Sequence, residues 1–259
     1  MKVVILAGGL GTRISEETTV KPKPMVEIGS EPIIWHIMKI YSHYGYNDFI
    51  ICGGYKQNVI KDYFSRYALN HGDIELLTRS DKVSIINPPK EDWKVTVVDT
   101  GLKTMTGGRR KRIKKYVEAD GIFMLTYGDG LSDVDITKLM TSHKKAGKSL
   151  TVTAVQPKGR FGALTINNDN TVTNFTEKPP GDGSWINGGF YVMENEIFDY
   201  IENDSTIWED YPMKNLASEK KVNAYRHTSF WRPMDTMTDK RQLEEMWNTG
   251  KGPWQIWDD

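Results

Sequence analysis

Val3-Val4-Ile5-Leu6-Ala7-Gly8-Gly9-Leu10-Gly11-Thr12-Arg13 decides how the rest of the chain is read. The apolar run from Val3 to Leu6 reads as a short buried strand that turns straight into glycines. Glycines in such a turn let backbone N–H groups approach an anion, because no Cβ blocks the way and positive φ is cheap. A triphosphate is the natural guest, although the glycines alone serve a purely structural turn equally well. The run contains Gly9-x-Gly11, but a dinucleotide fingerprint wants a third small residue where this chain has Ile14, and the Gly-Lys-Ser/Thr ending of a P-loop is missing. Nearby cations add to the phosphate reading. Arg13 can fork two phosphate oxygens, and Lys23, in Lys21-Pro22-Lys23-Pro24, can place a point charge on the same anion from a stretch stiffened by its prolines. The alternative is two solvated cations beside a turn.

Outward from this turn, strand and helix alternate. A helix is predicted from about Glu31 to Tyr44, with Ser30 as N-cap, Pro32 in the first turn and an apolar stripe of Ile33, Ile34, Ile37, Met38 and Tyr41. Strands are predicted at Phe49 to Cys52, Ile74 to Leu77, Lys94 to Val98 and Phe123 to Thr126, with a second helix from Asn58 to Leu69. This is an α/β pattern: a Rossmann-like, mixed but mostly parallel sheet with helices on both faces. From about Leu150 the strands shorten (Leu150 to Val155, Ala163 to Ile166, Val172 to Phe175, Ile186 to Val192), separated by turn residues such as Asn167-Asn168-Asp169-Asn170. The second half therefore reads as a smaller α+β portion packed against the first sheet. Residues 1–259 are taken as one domain, with a first portion over about 1–149 and a second, C-terminal portion over about 150–259. No internal repeat, low-complexity tract or hinge-like linker breaks the chain.

Composition narrows the function classes. The 259 residues carry 34 Lys plus Arg against 34 Asp plus Glu, so no overall field favours nucleic acid or an anionic membrane. No stretch approaches the roughly 18 apolar residues of a membrane span, and Met1 to Leu10 reads as a first strand, not an export signal. The single Cys52 excludes an intrachain disulfide, so a cytoplasmic location is the default.

In these chemistry-bearing stretches the chain resembles the sugar-nucleotide pyrophosphorylases. The string L-A-G-G-x-G-T-R with K-P-K-P is similar to their nucleotide-binding signature, and W-H-I-M-K, V-D-T-G, M-T-G-G-R, Y-G-D-G, G-R-F-G-A-L, E-K-P, N-G-G-F and W-R-P-M-D-T extend the likeness along essentially the whole chain. The likeness implies the nucleotide-diphospho-sugar transferase fold, with a nucleotide-binding portion over about 1–149 and a sugar-binding and C-terminal portion over about 150–259, and, in its closest branch, CTP and glucose 1-phosphate as substrates. It also implies Mg²⁺ as cofactor, a homo-oligomer and a place in bacterial lipopolysaccharide or O-antigen dideoxysugar synthesis. Uridylyl and thymidylyl relatives carry a glutamine and a P-x-G-T-A string that this chain lacks, which favours the cytidylyl branch. A uridylyl- or thymidylyltransferase for another sugar 1-phosphate, or a non-catalytic regulatory protein on the same fold, remain the alternatives.

The resemblance assigns roles residue by residue. Leu6, Ala7, Gly8, Gly9, Leu10, Gly11, Thr12, Arg13, Lys23, Thr104, Arg109 and Gly128 match nucleotide contacts, with Arg13 and Lys23 catalytic and Arg109 also reaching a neighbouring subunit's site. Asp129 follows the predicted Phe123 to Thr126 strand, at the end where ligands bind in open α/β sheets, and a carboxylate suits Mg²⁺. Asp235 matches the second metal ligand; from the residues alone it reads instead as an ordinary N-cap before a helix from Met237 to Trp247. Asp133 and Asp135 read as turn and cap residues before a helix from Ile136. Glu177 and Lys178 match the residues that take the sugar hydroxyls and the sugar phosphate, and Gly162, after Arg160-Phe161, with Asn187 and Gly188 matches the wall of the sugar pocket. Base choice is expected near Val98-Asp99-Thr100-Gly101.

Arg109-Arg110-Lys111-Arg112-Ile113-Lys114-Lys115 is the one strongly basic run. It is short, lies in a neutral chain and continues as an amphipathic helix, so it reads as a solvated face rather than a nucleic-acid site. His36 and Cys52 read as core residues without partners at metal-ligand spacing.

Overall fold

Val3 to Leu6 lie near the centre of a seven-stranded sheet, and their neighbours in sequence face opposite sides of it, as the two-residue period of a strand requires. The computed structural model describes residues 1–157, 159 and 162–257. The sheet contains β1 (Lys2–Leu6), β2 (Asp48–Gly53), β3 (Lys94–Asp99), β4 (Ile122–Tyr127), β5 (Leu150–Val155), β6 (Ile186–Glu194) and β7 (Val222–His227). Their spatial order is β7-β5-β6-β4-β1-β2-β3. All pairings are parallel except the two made by β6, which runs opposite to β4 and β5.

Both faces of the sheet are buried, which is why the central strands read as unbroken apolar runs. Val3, Ile5, Phe49, Ile51 and Met124 face one core. That side is covered by α1 (Ile33–His43), α2 (Gln57–Ser65), α4 (Ile136–Ala146) and α6 (Met237–Asn248) through Ile37, Ile60, Leu139 and Leu243. Val4, Leu6, Ile50, Cys52 and Phe123 face the other core, closed by Ile113 and Val117 of α3 (Thr106–Val117) and Leu216 of α5 (Tyr211–Ser218). His36 and Cys52 are both fully buried, as their sequence context implies. Burial pushes the Cys52 thiol up to about 12, so it stays a protonated, inert packing group.

Several expectations are corrected. Strands from the second half do not stack on the first sheet: β5, β6 and β7 extend it. Ser30 caps nothing, because Glu31–Pro32 pairs back on Glu27–Ile28 and Pro32, with its fixed φ, takes the N-cap position of α1. The helix expected from Asn58 to Leu69 breaks at Arg66 into α2 and a short turn of helix, Tyr67–His71. The predicted strand near Ile74 forms as Asp73–Leu77, but it pairs with Lys82–Asn87 as an exposed hairpin outside the main sheet. The β2-to-β3 crossover is already supplied by α2, so this hairpin is an elaboration of that connection. Ala163–Ile166 and Val172–Thr176 form a second exposed hairpin about the Asn167 to Asn170 turn. Among the described residues no helix is long and apolar enough to cross a membrane.

Candidate active site

The carboxyl ends of the parallel strands open onto a cleft of about 720 Å³, the end where open α/β sheets bind ligands. Leu6, Ala7, Gly8, Gly9, Leu10, Gly11, Thr12 and Arg13 form one wall, with Lys23, Thr104, Arg109, Gly128 and Asp129 also lining it. The turn is tied down where it leaves the sheet, since Ala7 N–H donates to Cys52 O at 3.1 Å and Gly128 N–H to Leu6 O at 3.0 Å. Two of its glycines are required by geometry. Gly11 has φ +66°, and a Cβ on Gly8 would lie 2.1 Å from Arg109 Nη1.

Three distant segments converge at one end of the cleft. Lys23, in a short 3-10 turn entered through Pro22, is nearly buried. Its Nζ lies 2.7 Å from Asp129 Oδ2 and 2.6 Å from Asp235 Oδ1, while Arg13 Nη1 lies 2.6 Å from the other oxygen of Asp235. Asp129 follows β4 directly. Asp235 reaches it because Trp231–Pro233 pairs antiparallel with Gly130–Ser132, and Met234 N–H donates to Asp129 O at 2.8 Å. Asp235 is not the cap of α6: Thr236 caps that helix in a reciprocal capping box with Asp239. Asp135 caps α4 by accepting from Lys138 N–H, and Asp133 is engaged by Ser229 and His227, so these two carboxylates are structural, as read.

Asp129 and Asp235 suit a divalent metal. Their oxygens are hard donors, they converge from two elements on one cation position already held by an ammonium, and both side chains keep partial access to solvent. Among the described residues no group of three His, Cys, Asp or Glu could hold a metal. The remaining ligands would have to be phosphate oxygens and water, the usual division for Mg²⁺.

Arg109 departs from expectation. Its guanidinium is turned inward, with Nη1 donating to Thr100 Oγ1 at 2.7 Å, Gly101 O at 2.8 Å and Gly53 O at 3.2 Å, and Nη2 donating to Gly8 O at 2.9 Å. Within this chain the guanidinium is held by backbone carbonyls while the residue still lines the cleft. Arg109 therefore holds the glycine turn to the β2 and β3 ends. Arg110 beside it is fully buried, so the first two residues of the basic run are interior, not a solvated face.

The base-choice segment is also displaced. Asp99 is exposed and accepts from Gly101 N–H, Thr100 is buried against Gly53 O, and the cleft is lined instead by Leu102, Lys103, Thr104, Met105 and Thr106 just beyond. Arg160 and Phe161 lie outside the described residues. The residues expected on the sugar side do not line this cleft. Glu177 and Lys178 are exposed and pair with each other at 3.5 Å, next to Gly162 at the base of the second hairpin. Asn187 and Gly188 begin β6, where Trp231 Nε1 donates to Gly188 O at 2.7 Å. Tyr127, which connects the two sides by lining the cleft and touching Tyr191, was not singled out from sequence. The available signal was an aromatic at a strand end before Gly128-Asp129.

The nucleotidyl transferase family matches the chain over residues 2–259. Glucose-1-phosphate cytidylyltransferase of Salmonella typhimurium is 53% identical over 258 residues, covering 100% of both chains. A probable glucose-1-phosphate cytidylyltransferase of Bacillus subtilis is 43% identical over 258 residues, covering 99% of this chain and 100% of the relative. Among solved structures, HddC from Yersinia pseudotuberculosis superposes with a TM-score of 0.68 at 26% identity, over 95% of this chain and 99% of that one.

Proposed function

This chain belongs to the nucleotidyl transferase family, and from that premise we propose that it transfers a cytidylyl group from CTP to α-D-glucose 1-phosphate, giving CDP-glucose and pyrophosphate. It is a nucleotidyltransferase with the nucleotide-diphospho-sugar transferase fold. One observation carries the chemistry: Lys23, Asp129 and Asp235 meet at one end of a glycine-lined cleft at the carboxyl edge of a mostly parallel sheet. The choice of cytidine and glucose rests on the two cytidylyltransferase relatives.

The reaction needs no side-chain nucleophile. An oxygen of the sugar phosphate, already anionic, attacks the α-phosphorus of CTP in line. The bond from that phosphorus to the bridging oxygen breaks, and pyrophosphate leaves with the electron pair on the opposite side. The chain's task is to hold two anions together and to stabilise charge as it develops. In this reading the Leu6 to Thr12 backbone, Thr104 and Gly128 seat the nucleotide, Arg13 stabilises the leaving pyrophosphate and Lys23 the α-phosphate. Lys178 neutralises the sugar phosphate, Glu177 accepts from sugar hydroxyls, and Gly162, Asn187 and Gly188 wall that side. Enzymes of this family generally use a divalent metal. Asp129 and Asp235 would hold it, as Mg²⁺, where it neutralises phosphate charge and orients phosphate oxygens. CTP as substrate fits a cytoplasmic enzyme, and the family likeness fits a homo-oligomer in which Arg109 stands near a neighbouring subunit's site.

Pyrophosphate release from purified protein with Mg²⁺ and glucose 1-phosphate, run in parallel with CTP, UTP, dTTP, ATP and GTP, tests the reading. Strong preference for CTP is expected. Preference for UTP or dTTP would discard the cytidylyl assignment, and no release with any of the five would remove the catalytic one.

A further inference from the structure

A continuous path of side-chain hydrogen bonds runs from the lip of the nucleotide cleft to the start of β6. Thr106 Oγ1 accepts from Trp208 N–H at 2.9 Å and donates to Glu209 Oε2 at 2.6 Å. The other oxygen of Glu209 accepts from the Tyr127 hydroxyl. That hydroxyl lies 3.2 Å from the hydroxyl of Tyr191, to which Asn187 Nδ2 donates at 2.5 Å. Thr106 and Tyr127 line the cleft, whereas Asn187 is on the side read as the sugar wall. Glu209 is the only carboxylate in this path, and both of its oxygens are engaged by cleft-lining residues.

Arg110 lies beneath the path. It is fully buried, its Nη1 donates to Thr106 O at 2.8 Å, and its guanidinium is 4.6 Å from the Trp208 ring centre and 6.0 and 5.9 Å from those of Tyr127 and Tyr191. Nε and Nη2 find no hydrogen-bond partner among the described residues. A guanidinium buried without a paired carboxylate is costly, so packing alone does not explain its place. Its contacts touch the path at Thr106, at both tyrosines and at the residue preceding Glu209.

We propose that Glu209 is a positioning residue that couples the nucleotide wall to the sugar wall, with Arg110 as the buried charge that steadies it. The proposal deepens the cytidylyl-transfer reading and rests on it for the identity of the two substrates. Nucleotide contacts that fix Thr106 and Tyr127 thereby fix Tyr191 and Asn187, so each substrate tightens the binding of the other, reciprocally. Charge supports the arrangement. Desolvation works against an ionised Glu209, but the Arg110 guanidinium and the hydroxyls of Thr106 and Tyr127 outweigh it and hold the carboxyl below its ordinary value. Burial, with neighbouring negative groups, pushes the Tyr127 hydroxyl well up and keeps it a donor.

The test is calorimetric titration of glucose 1-phosphate into the full-length protein, with and without a non-hydrolysable CTP analogue and Mg²⁺, for wild type, Glu209→Gln, Tyr127→Phe and the double variant. The wild type is expected to bind the sugar phosphate more tightly with the analogue present. Each single variant should lose about fivefold of that enhancement, roughly the worth of one hydrogen bond, and raise KM for glucose 1-phosphate with little change in kcat. The double variant should be no worse than either single. Tyr127→Phe keeps the ring and removes only the hydroxyl, so it gives a reading even if Glu209→Gln folds poorly. Absence of enhancement in the wild type, unchanged enhancement in the variants, or additive losses would each overturn the coupling. Failure of the underlying reaction reads out separately, as absence of pyrophosphate release by the wild type.

Discussion

The two ends of the site are built differently. At the phosphate end, Lys23 is nearly buried between two carboxylates, and Arg109 binds the glycine turn to the ends of two other strands through several backbone carbonyls. At the end proposed to take the sugar, Glu177 and Lys178 stand exposed at the foot of a hairpin whose strands are exposed throughout. Such a contrast suits a transfer in which one triphosphate must be held for in-line attack while the second substrate supplies its own nucleophile. Preorganised charge acts on the transition state, so changes at the phosphate end should appear in kcat and changes at the sugar end in KM.

The largest expected effect is at Asp129. Asp129→Asn should lower metal-dependent turnover by at least about 100-fold with the melting transition retained. Activity that persists across a magnesium titration would remove Asp129 as a ligand and weaken the account of the rigid end. Next, Lys23→Ala should reduce kcat by about 10²- to 10³-fold, the scale found when a single preorganised transition-state donor is removed, with a much smaller change in KM for CTP. A raised KM at unchanged kcat would mean that the buried ammonium only binds ground-state nucleotide, and the contrast between the two ends would lose its main support.

How much of this was legible depended on how locally it was encoded. The glycine turn and Asp129 follow strands whose apolar runs are continuous, so their place at the carboxyl edge could be read from sequence. The approach of Asp235 to Asp129 depends on the pairing of Trp231–Pro233 with Gly130–Ser132, across about a hundred residues, and no local pattern announces that register. Only the family resemblance suggested it. Thr236-x-x-Asp239 was a readable capping box that would have freed Asp235 from the cap reading. Burial of Arg109 and Arg110 was hidden because a run of basic residues at helical spacing reads as a solvated face. What draws them in, the carbonyls of Gly8, Gly53 and Gly101 and the Trp208 ring, comes from segments far apart in sequence.

At the sugar end the expected effect is smaller. Lys178→Ala should raise KM for glucose 1-phosphate about tenfold, the scale of one charge-assisted hydrogen bond, and leave KM for CTP nearly unchanged. Steady-state kinetics with each substrate varied in turn separates the two. A fall in kcat as deep as that of Lys23→Ala would show that the exposed ammonium acts on the transition state, making the two ends alike in function although unlike in burial.

The smallest effect concerns what anchors the segment carrying Lys23. His36 Nε2 lies 3.0 Å from Ile28 O, just past that segment, and Trp254 Nε1 donates toward His36 Nδ1 at 3.4 Å. Nδ1 therefore accepts and Nε2–H donates, which is the neutral tautomer; a second proton would face the Trp254 N–H. Burial lowers the His36 pKa to about 4 from 6.5. Because the folded value lies below the unfolded one, the unfolded chain binds the extra proton first as pH falls. The contribution of His36 is thus complete above pH 6.5 and is lost as pH falls from there toward about 4, at an upper limit of about 3 kcal/mol. Denaturant unfolding at intervals across that window should show stability falling with acid, and His36→Gln should flatten the slope whatever it does to absolute stability. An unchanged slope would mean that His36 takes up its proton without disturbing Ile28, and the rigidity of the phosphate end would then rest on Arg109 and the Lys23 carboxylate pair alone.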